Sequence, residues 1–234
     1  MDRLDTLQVQ GRVDVTRTFD GRELNTEYIF AGFTSSNFTS ILSLPISYDI
    51  VKFAAHGNIT AASTIVTFSS SLFNTTLPLM IDSWIAWNKK HQIVQYDMTF
   101  KWSSFLYDTL INKTAQRLSV SPSEAIPRIA RAIATGICEV HNKYCTSENQ
   151  QYRSSAECLD FLTKAIRFGR DYEVGRNTLV CRSNHQKMVQ YRPAVHCPHI
   201  GPTGGGMCVD DQTYEEKVLQ KYFTNVPFVP PLSQ

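Results

Sequence analysis

The chain has 234 residues, with 23 Lys and Arg against 21 Asp and Glu, for a net charge of +2. So even a balance excludes a protein whose affinity comes from neutralising phosphates, which needs clustered cations. With 42% hydrophobic and 19% charged residues the chain reads as a folded globule, and no run approaches the ~18 apolar residues of a membrane span.

In chain order, the first hundred residues read as strands. From Leu7 to Phe19 apolar and polar residues alternate strictly, and Asp20-Gly21 follows, the pair a two-residue hairpin turn favours. That turn sets Val13 opposite Tyr28 and Val15 opposite Thr26. A second hairpin is expected from Ile46 to Phe68, turning at Gly57-Asn58 and pairing Phe53 with Ala62 and Val51 with Thr64. A third runs from Leu79 to Trp102 through Asn88-Lys89-Lys90-His91, with Ile81, Ile85, Trp87, Val94, Tyr96, Met98, Phe100 and Trp102 on one face. Six such strands form an antiparallel sheet whose apolar face must be covered.

The second half has helical periodicity. Trp102, Leu106 and Leu110 open one helix. Ser123 is an expected N-cap for another, with Pro127 in its first turn and Ile126, Ile129, Ile133, Ile137 and Val140 as its stripe. Ser154 and Glu157 form a capping box for a helix stopped by Gly169. Helices are also expected near Asn177 to Gln190 and from Asp211, before an extended tail from Val226 to Pro231. The fold class expected is α+β: a curved antiparallel sheet, cone or barrel over 1–101, covered by a cysteine-rich helical half over 102–234, the two forming one compact unit.

All six cysteines, Cys138, Cys145, Cys158, Cys181, Cys197 and Cys208, lie in that second half. An even number in one segment suggests three disulfides and an oxidising compartment, with the pairing left open. Four Asn-x-Thr sequons, at Asn37, Asn58, Asn74 and Asn112, point the same way. A secreted or vesicular glycoprotein is expected, with Met1 following a removed signal peptide.

Several motifs bear on chemistry. Cys181-x3-His185 with His196-Cys197-Pro198-His199 and Cys208 offers zinc-type ligands, but the spacing matches no common zinc module and disulfides compete for the sulfurs. No metal and no cofactor is expected. Gly201-Pro202-Thr203-Gly204-Gly205-Gly206 lacks the Gly-Lys-Ser/Thr ending of a phosphate loop and reads as a tight connection. In the third hairpin, a four-residue turn would set Asp82 against Asp97, and two adjacent carboxylates push one pKa upward, a route to an acid at neutral pH. Lys101 lies on the same face, which is plain solvent-facing surface if the turn length differs. Tyr28, Phe53, Trp84, Trp87, Tyr96, Met98 and Trp102 are the candidate lining of a ligand cavity, or else core.

The run Arg192-Pro193-Ala194-Val195-His196-Cys197-Pro198-His199-Ile200-Gly201-Pro202-Thr203-Gly204-Gly205-Gly206-Met207-Cys208 resembles secreted fungal proteins of tropolone–sesquiterpenoid biosynthesis. So do Asp82-Ser-Trp-Ile-Ala-Trp and Tyr96-Asp-Met-Thr-Phe. Members of that group with assigned activity are hetero-Diels–Alderases that join a tropolone-derived ortho-quinone methide to a humulene-type alkene. The sheet half also resembles the SnoaL-like, ketosteroid-isomerase-like cone, without its opening helix. The resemblance implies a cofactor-free pericyclase acting on apolar small molecules and carries over no catalytic residue. Asp97, Asp82 and Lys101 are the acid–base candidates of the hairpin reading, and the even charge balance argues against nucleic acid. A homodimer is left open. The alternatives are a secreted carrier of terpenoid-like ligands and a SnoaL-like isomerase or dehydratase acting through Asp97.

Overall fold

The computed structural model describes residues 9–30, 41–223 and 228. Its architecture is α+β. Strands β1 (Gln10–Val13), β2 (Thr18–Asp20), β3 (Pro45–His56), β4 (Ile59–Ser70), β5 (Thr75–Trp87) and β6 (Ile93–Lys101) form one sheet in the order β2-β1-β6-β5-β4-β3. Helix α1 (Arg22–Ile29) interrupts them, and α2 (Ser103–Leu118), α3 (Pro122–Tyr144), α4 (Ser155–Asp160), α5 (Leu179–His185), α6 (Pro193–Ile200) and α7 (Tyr214–Leu219) follow.

The opening of the chain corrects the sequence expectation. Residues 22–29 are helical, so Val13 does not face Tyr28. The β1 strand turns back at once onto β2, with Gly11 opposite Phe19, and on its other side runs parallel to β6, with Gly11 opposite Tyr96. Gly21, at φ 83°, supplies the left-handed conformation that lets the chain leave β2 and enter α1. Asn25 fixes the join: its Nδ2 donates to the carbonyls of Val9, Phe19 and Gly21 at 3.2, 2.9 and 2.8 Å.

The second hairpin pairs Phe53 with Ala62 as expected, but a bulge at Val51 slips the rest, so Thr64 faces Ile50. The third hairpin slips by two. Asn88 Oδ1 accepts from the backbone N–H of Lys90 and Gln92 at 2.8 and 3.0 Å, an Asx-type closure that lengthens the turn. Trp84 therefore faces Asp97, and Asp82 faces Thr99. Strand parity is unchanged, so Ile81, Ile85, Tyr96, Met98 and Phe100 still share a face.

That face is covered by the helices. The α3 stripe of Ile129, Ile133, Ile137 and Val140 packs with Phe73 and Leu77 from the sheet side and with Leu110, Leu162, Leu179, Val189 and Ile200. Ser121, not Ser123, caps α3 in a full capping box with Glu124, and Pro122 occupies the first turn. The second helix start is as expected, with Ser154 accepting from the Glu157 N–H, but regular helix stops well short of Gly169. The last helix begins after Thr213. Residues 226–227 and 229–231 of the expected tail lie outside the described residues, as does sequon residue Asn37.

All six cysteines are paired: Cys138 with Cys158, Cys145 with Cys197, and Cys181 with Cys208. Such a set forms and persists in an oxidising compartment. Of the other sequons, Asn58 and Asn74 sit exposed in the β3–β4 and β4–β5 turns, and Asn112 is exposed on α2. Among the described residues, no helix is long and apolar enough to cross a membrane.

Candidate active-site cavity

The sheet does not close onto its helices without a gap. Between them lies a cavity of about 370 Å³, within the usual range for small-molecule sites. Its walls are almost wholly apolar: Val13, Val15 and Phe19 from the β1–β2 ribbon, Phe68, Leu79, Ile81, Met98 and Phe100 from the sheet, and Leu106, Leu110, Ile111 and Ile129 from α2 and α3. Polar groups are few: Tyr28, Tyr96, Tyr107, Asp171, Asn184 and Lys187 stand among them.

Each polar group has a distinct state. Tyr96 is fully buried, its hydroxyl has no hydrogen-bond partner among the described residues, and burial pushes its pKa up. The Tyr107 hydroxyl donates to the Gly169 carbonyl at 2.6 Å. Asp171 accepts from the hydroxyls of Ser103 and Ser104 at 2.6 and 2.9 Å. Lys187 donates to the Leu42 carbonyl, and burial brings its ammonium down to about 8.

Tyr28 stacks on Phe19 with ring centroids 3.8 Å apart, and its hydroxyl lies 3.0 and 3.2 Å from the two ring nitrogens of His185. Behind it stand His196 and His199. The His199 Nδ1 is 3.2 Å from the Nδ1 of His196 and 3.1 Å from that of His185, and all three rings are buried. Burial is the first cause that lowers all three pKa values, to about 4 for His196 and His199, so the rings are neutral at pH 7. Glu27 meets the outer nitrogen of His196 at 3.0 Å and Arg192 at 2.7 Å. The two helices that carry the cluster, α5 and α6, are each tied down by a disulfide, Cys181–Cys208 and Cys145–Cys197.

The sequence-derived candidates separate cleanly. Tyr28, Tyr96 and Met98 line the cavity. Phe53, Trp84 and Trp102 are exposed large apolar side chains outside it, and Trp87 donates its indole N–H to Thr60 Oγ1 at 2.9 Å, also outside the lining. Asp82, Asp97 and Lys101 alternate with cavity-lining residues and so point from the opposite face. The slipped register separates the two carboxylates along the ladder, and each has its own cation: Arg12 for Asp97 and Lys101, at 3.3 Å, for Asp82. The carboxylate pair expected from a four-residue turn does not form. Lys187 and Asp171 line the cavity without a sequence signal, whereas His185, His196 and His199, which the sequence offers as zinc-type ligands, are brought together beside it.

A profile described as the BfoA N-terminal domain matches residues 5–98, and one described as the BfoA family C-terminal domain matches residues 101–211. The bifonsecin B biosynthesis cluster protein A of Aspergillus brasiliensis is 56% identical over 221 residues, spanning 94% of this chain and 74% of that protein. The chain belongs to the BfoA family. A second BfoA-family relative, the aurasperone B biosynthesis cluster protein A of Aspergillus niger, is 54% identical, spanning 94% of this chain and 72% of the relative. Among solved structures, a steroid delta-isomerase from Pseudomonas aeruginosa overlaps at TM-score 0.33 and 12% identity, covering 50% of this chain and 75% of the other. A protein from Catenulispora acidiphila with a ketosteroid isomerase-like fold overlaps at 0.32 and 11%, covering 51% and 80%. Overlaps this loose transfer neither a fold name nor an activity to the BfoA-family chain.

Proposed function

We propose that this BfoA-family chain is an enzyme of fungal secondary metabolism that takes an apolar, oxygen-bearing small molecule into the cavity and acts on it as a cyclase. The finer reading is a hetero-Diels–Alder cyclisation between a tropolone-derived ortho-quinone methide and a humulene-type alkene. The observation that carries the proposal is the cavity of about 370 Å³ itself, apolar on nearly every side with a handful of polar groups. The relatives' names, as biosynthesis cluster proteins, agree with it.

The chemistry suits such a wall. In the cycloaddition one carbon–carbon and one carbon–oxygen bond form as three π bonds become one, and no proton moves. Holding diene and alkene face to face in a closed apolar space supplies ~7–11 kcal/mol at most, through freedom lost on binding. A fixed donor at the dienone oxygen adds electrostatic stabilisation as charge gathers there. Lys187, the Tyr96 hydroxyl and the Asn184 amide are among the donors that line this cavity.

The test is incubation of purified protein with a hydroxymethyl tropolone precursor, which yields the quinone methide by loss of water, and humulene. Raised adduct yield or a changed stereochemical ratio relative to buffer is the expected result, and Lys187→Met is expected to reduce it. Saturable binding of both compounds with no rate gain would replace this reading with a carrier. Absence of both binding and turnover would remove it.

A further inference from the structure

The geometry points to a binding site for a divalent transition-metal ion of the zinc class, held by the Nδ1 atoms of His185, His196 and His199. It does not rest on the cyclase reading.

The first argument is counting. Each imidazole nitrogen has a single in-plane position, filled by a proton or by a lone pair. His199 Nδ1 has two imidazole nitrogens at hydrogen-bond distance, 3.2 and 3.1 Å away. One proton or one lone pair satisfies one of them well, so three buried rings turned inward leave a nitrogen mismatched. A cation at their centre satisfies all three at once.

Two of the three separations, 3.2 and 3.1 Å from His199 Nδ1, agree with a shared ion. Metal–nitrogen bonds of about 2.0–2.1 Å in a tetrahedral shell put neighbouring ligand nitrogens about 3.3 Å apart. The ligand atoms of all three rings lie within 4.8 Å of one another. A second group of this kind, Cys181, His185 and Cys208, is excluded because its sulfurs are joined to each other.

The surroundings have the form a metal site requires. Glu27 sits 3.0 Å from His196 Nε2, which places the proton on that nitrogen and leaves the Nδ1 lone pair facing inward. Arg192 holds the other oxygen of Glu27 at 2.7 Å. The glycine-rich turn forms the back wall: a Cβ on Gly205 would come within 2.7 Å of the His199 ring, so this position must stay bare for the ring to stand where it does. On the remaining side the Tyr28 hydroxyl is 3.2 Å from His185 Nδ1, and Tyr28 itself lines the cavity. Three inward-facing nitrogens with the Tyr28 hydroxyl beside them leave that hydroxyl, or a water, as the fourth ligand of such an ion.

The test uses tag-free, disulfide-intact protein, stripped with a chelator, exposed to Zn(II) or Co(II) and then desalted. One equivalent of metal per chain is expected, with the intense visible absorption of four-coordinate Co(II) and a rise in Tm that the chelator reverses. His199→Ala should lose the metal and the absorption. Glu27→Gln should keep the fold by circular dichroism and bind about 10–100-fold more weakly. Absence of bound metal and of any Tm shift in the unaltered protein would overturn the proposal, as would undiminished binding in a folded His199→Ala variant.

Discussion

Arg12 and Asp97 face each other across the parallel pair of β1 and β6, and the guanidinium donates to both carboxylate oxygens from Nε and from the terminal nitrogen. This contact ties the opening strand to the sheet and occupies a carboxylate that lies on the far side of β6 from the cavity. Binding and catalysis should therefore be indifferent to it.

Asp97→Asn is accordingly expected to cost stability and little else. Loss of the charge-assisted pair, whose partners are each about three-quarters shielded, should cost about 1–2 kcal/mol, or about 3–6 °C in Tm. Ligand affinity and turnover should stay within twofold of the unaltered protein. Thermal melts beside a product assay check this, and abolished turnover with an unchanged melt would return Asp97 to the chemistry.

Tyr96 is the opposite case. Its hydroxyl is buried with no partner among the described residues, a condition that costs about 1–3 kcal/mol. Tyr96→Phe should hold or raise the Tm while lowering affinity for an oxygenated ligand about tenfold and leaving a hydrocarbon ligand unaffected. Calorimetry with the paired ligands reads both effects. A fall in Tm would mean that the hydroxyl is satisfied in the folded protein.

The sequence made the two faces of the sheet legible, because alternation survives any even slip: Tyr96, Met98, Phe100 and Ile81 share a face whether the third hairpin turns in four residues or more. It did not make the register legible. The slip that parts Asp82 from Asp97 comes from the Asn88 side chain closing the turn on Lys90 and Gln92, and the one-residue slip in the second hairpin comes from a bulge at Val51. Residues 22–29 read as a strand returning from Asp20-Gly21, and tertiary contact overrode that pattern: Asn25, buried against β1 and β2, fixes a helix there. The histidine cluster needs α5 beside α6, and each helix carries one half of a disulfide whose pairing spacing could not choose.

The disulfides should differ in worth. Cys145 and Cys197 close the longest loop, 52 residues, against 20 for Cys138–Cys158 and 27 for Cys181–Cys208. Loop entropy gives about 4 kcal/mol for the first and about 3–3.5 for the others. Replacing both members of each pair with Ala should rank the melting temperatures in that order. The Cys145/Cys197 variant should additionally lose the histidine cluster's arrangement, because α6 carries His196 and His199. Metal binding kept in that variant while the melt falls would show that α6 is positioned without the bridge.

Asp210 gives the pH dependence a definite sign. Hydrogen bonds from Arg167, from the Asn177 N–H and from Arg176 hold its carboxyl well below the usual range, with burial opposing. A carboxylate with a depressed folded pKa contributes stability above its unfolded value of about 4 and loses it as the pH falls toward the folded value. The side chain is 35% exposed, so solvent screening limits the contribution to about 1 kcal/mol. Asp210→Asn should lower the Tm by about 2–4 °C at pH 7, and the gap should close as the pH is taken from about 5 toward 2. The loop that carries Cys208 would loosen with it, since Asp210 clamps that loop to Arg167 and Arg176. A gap that stays constant across the acid limb would mean that Asp210 acts through packing and not through its charge.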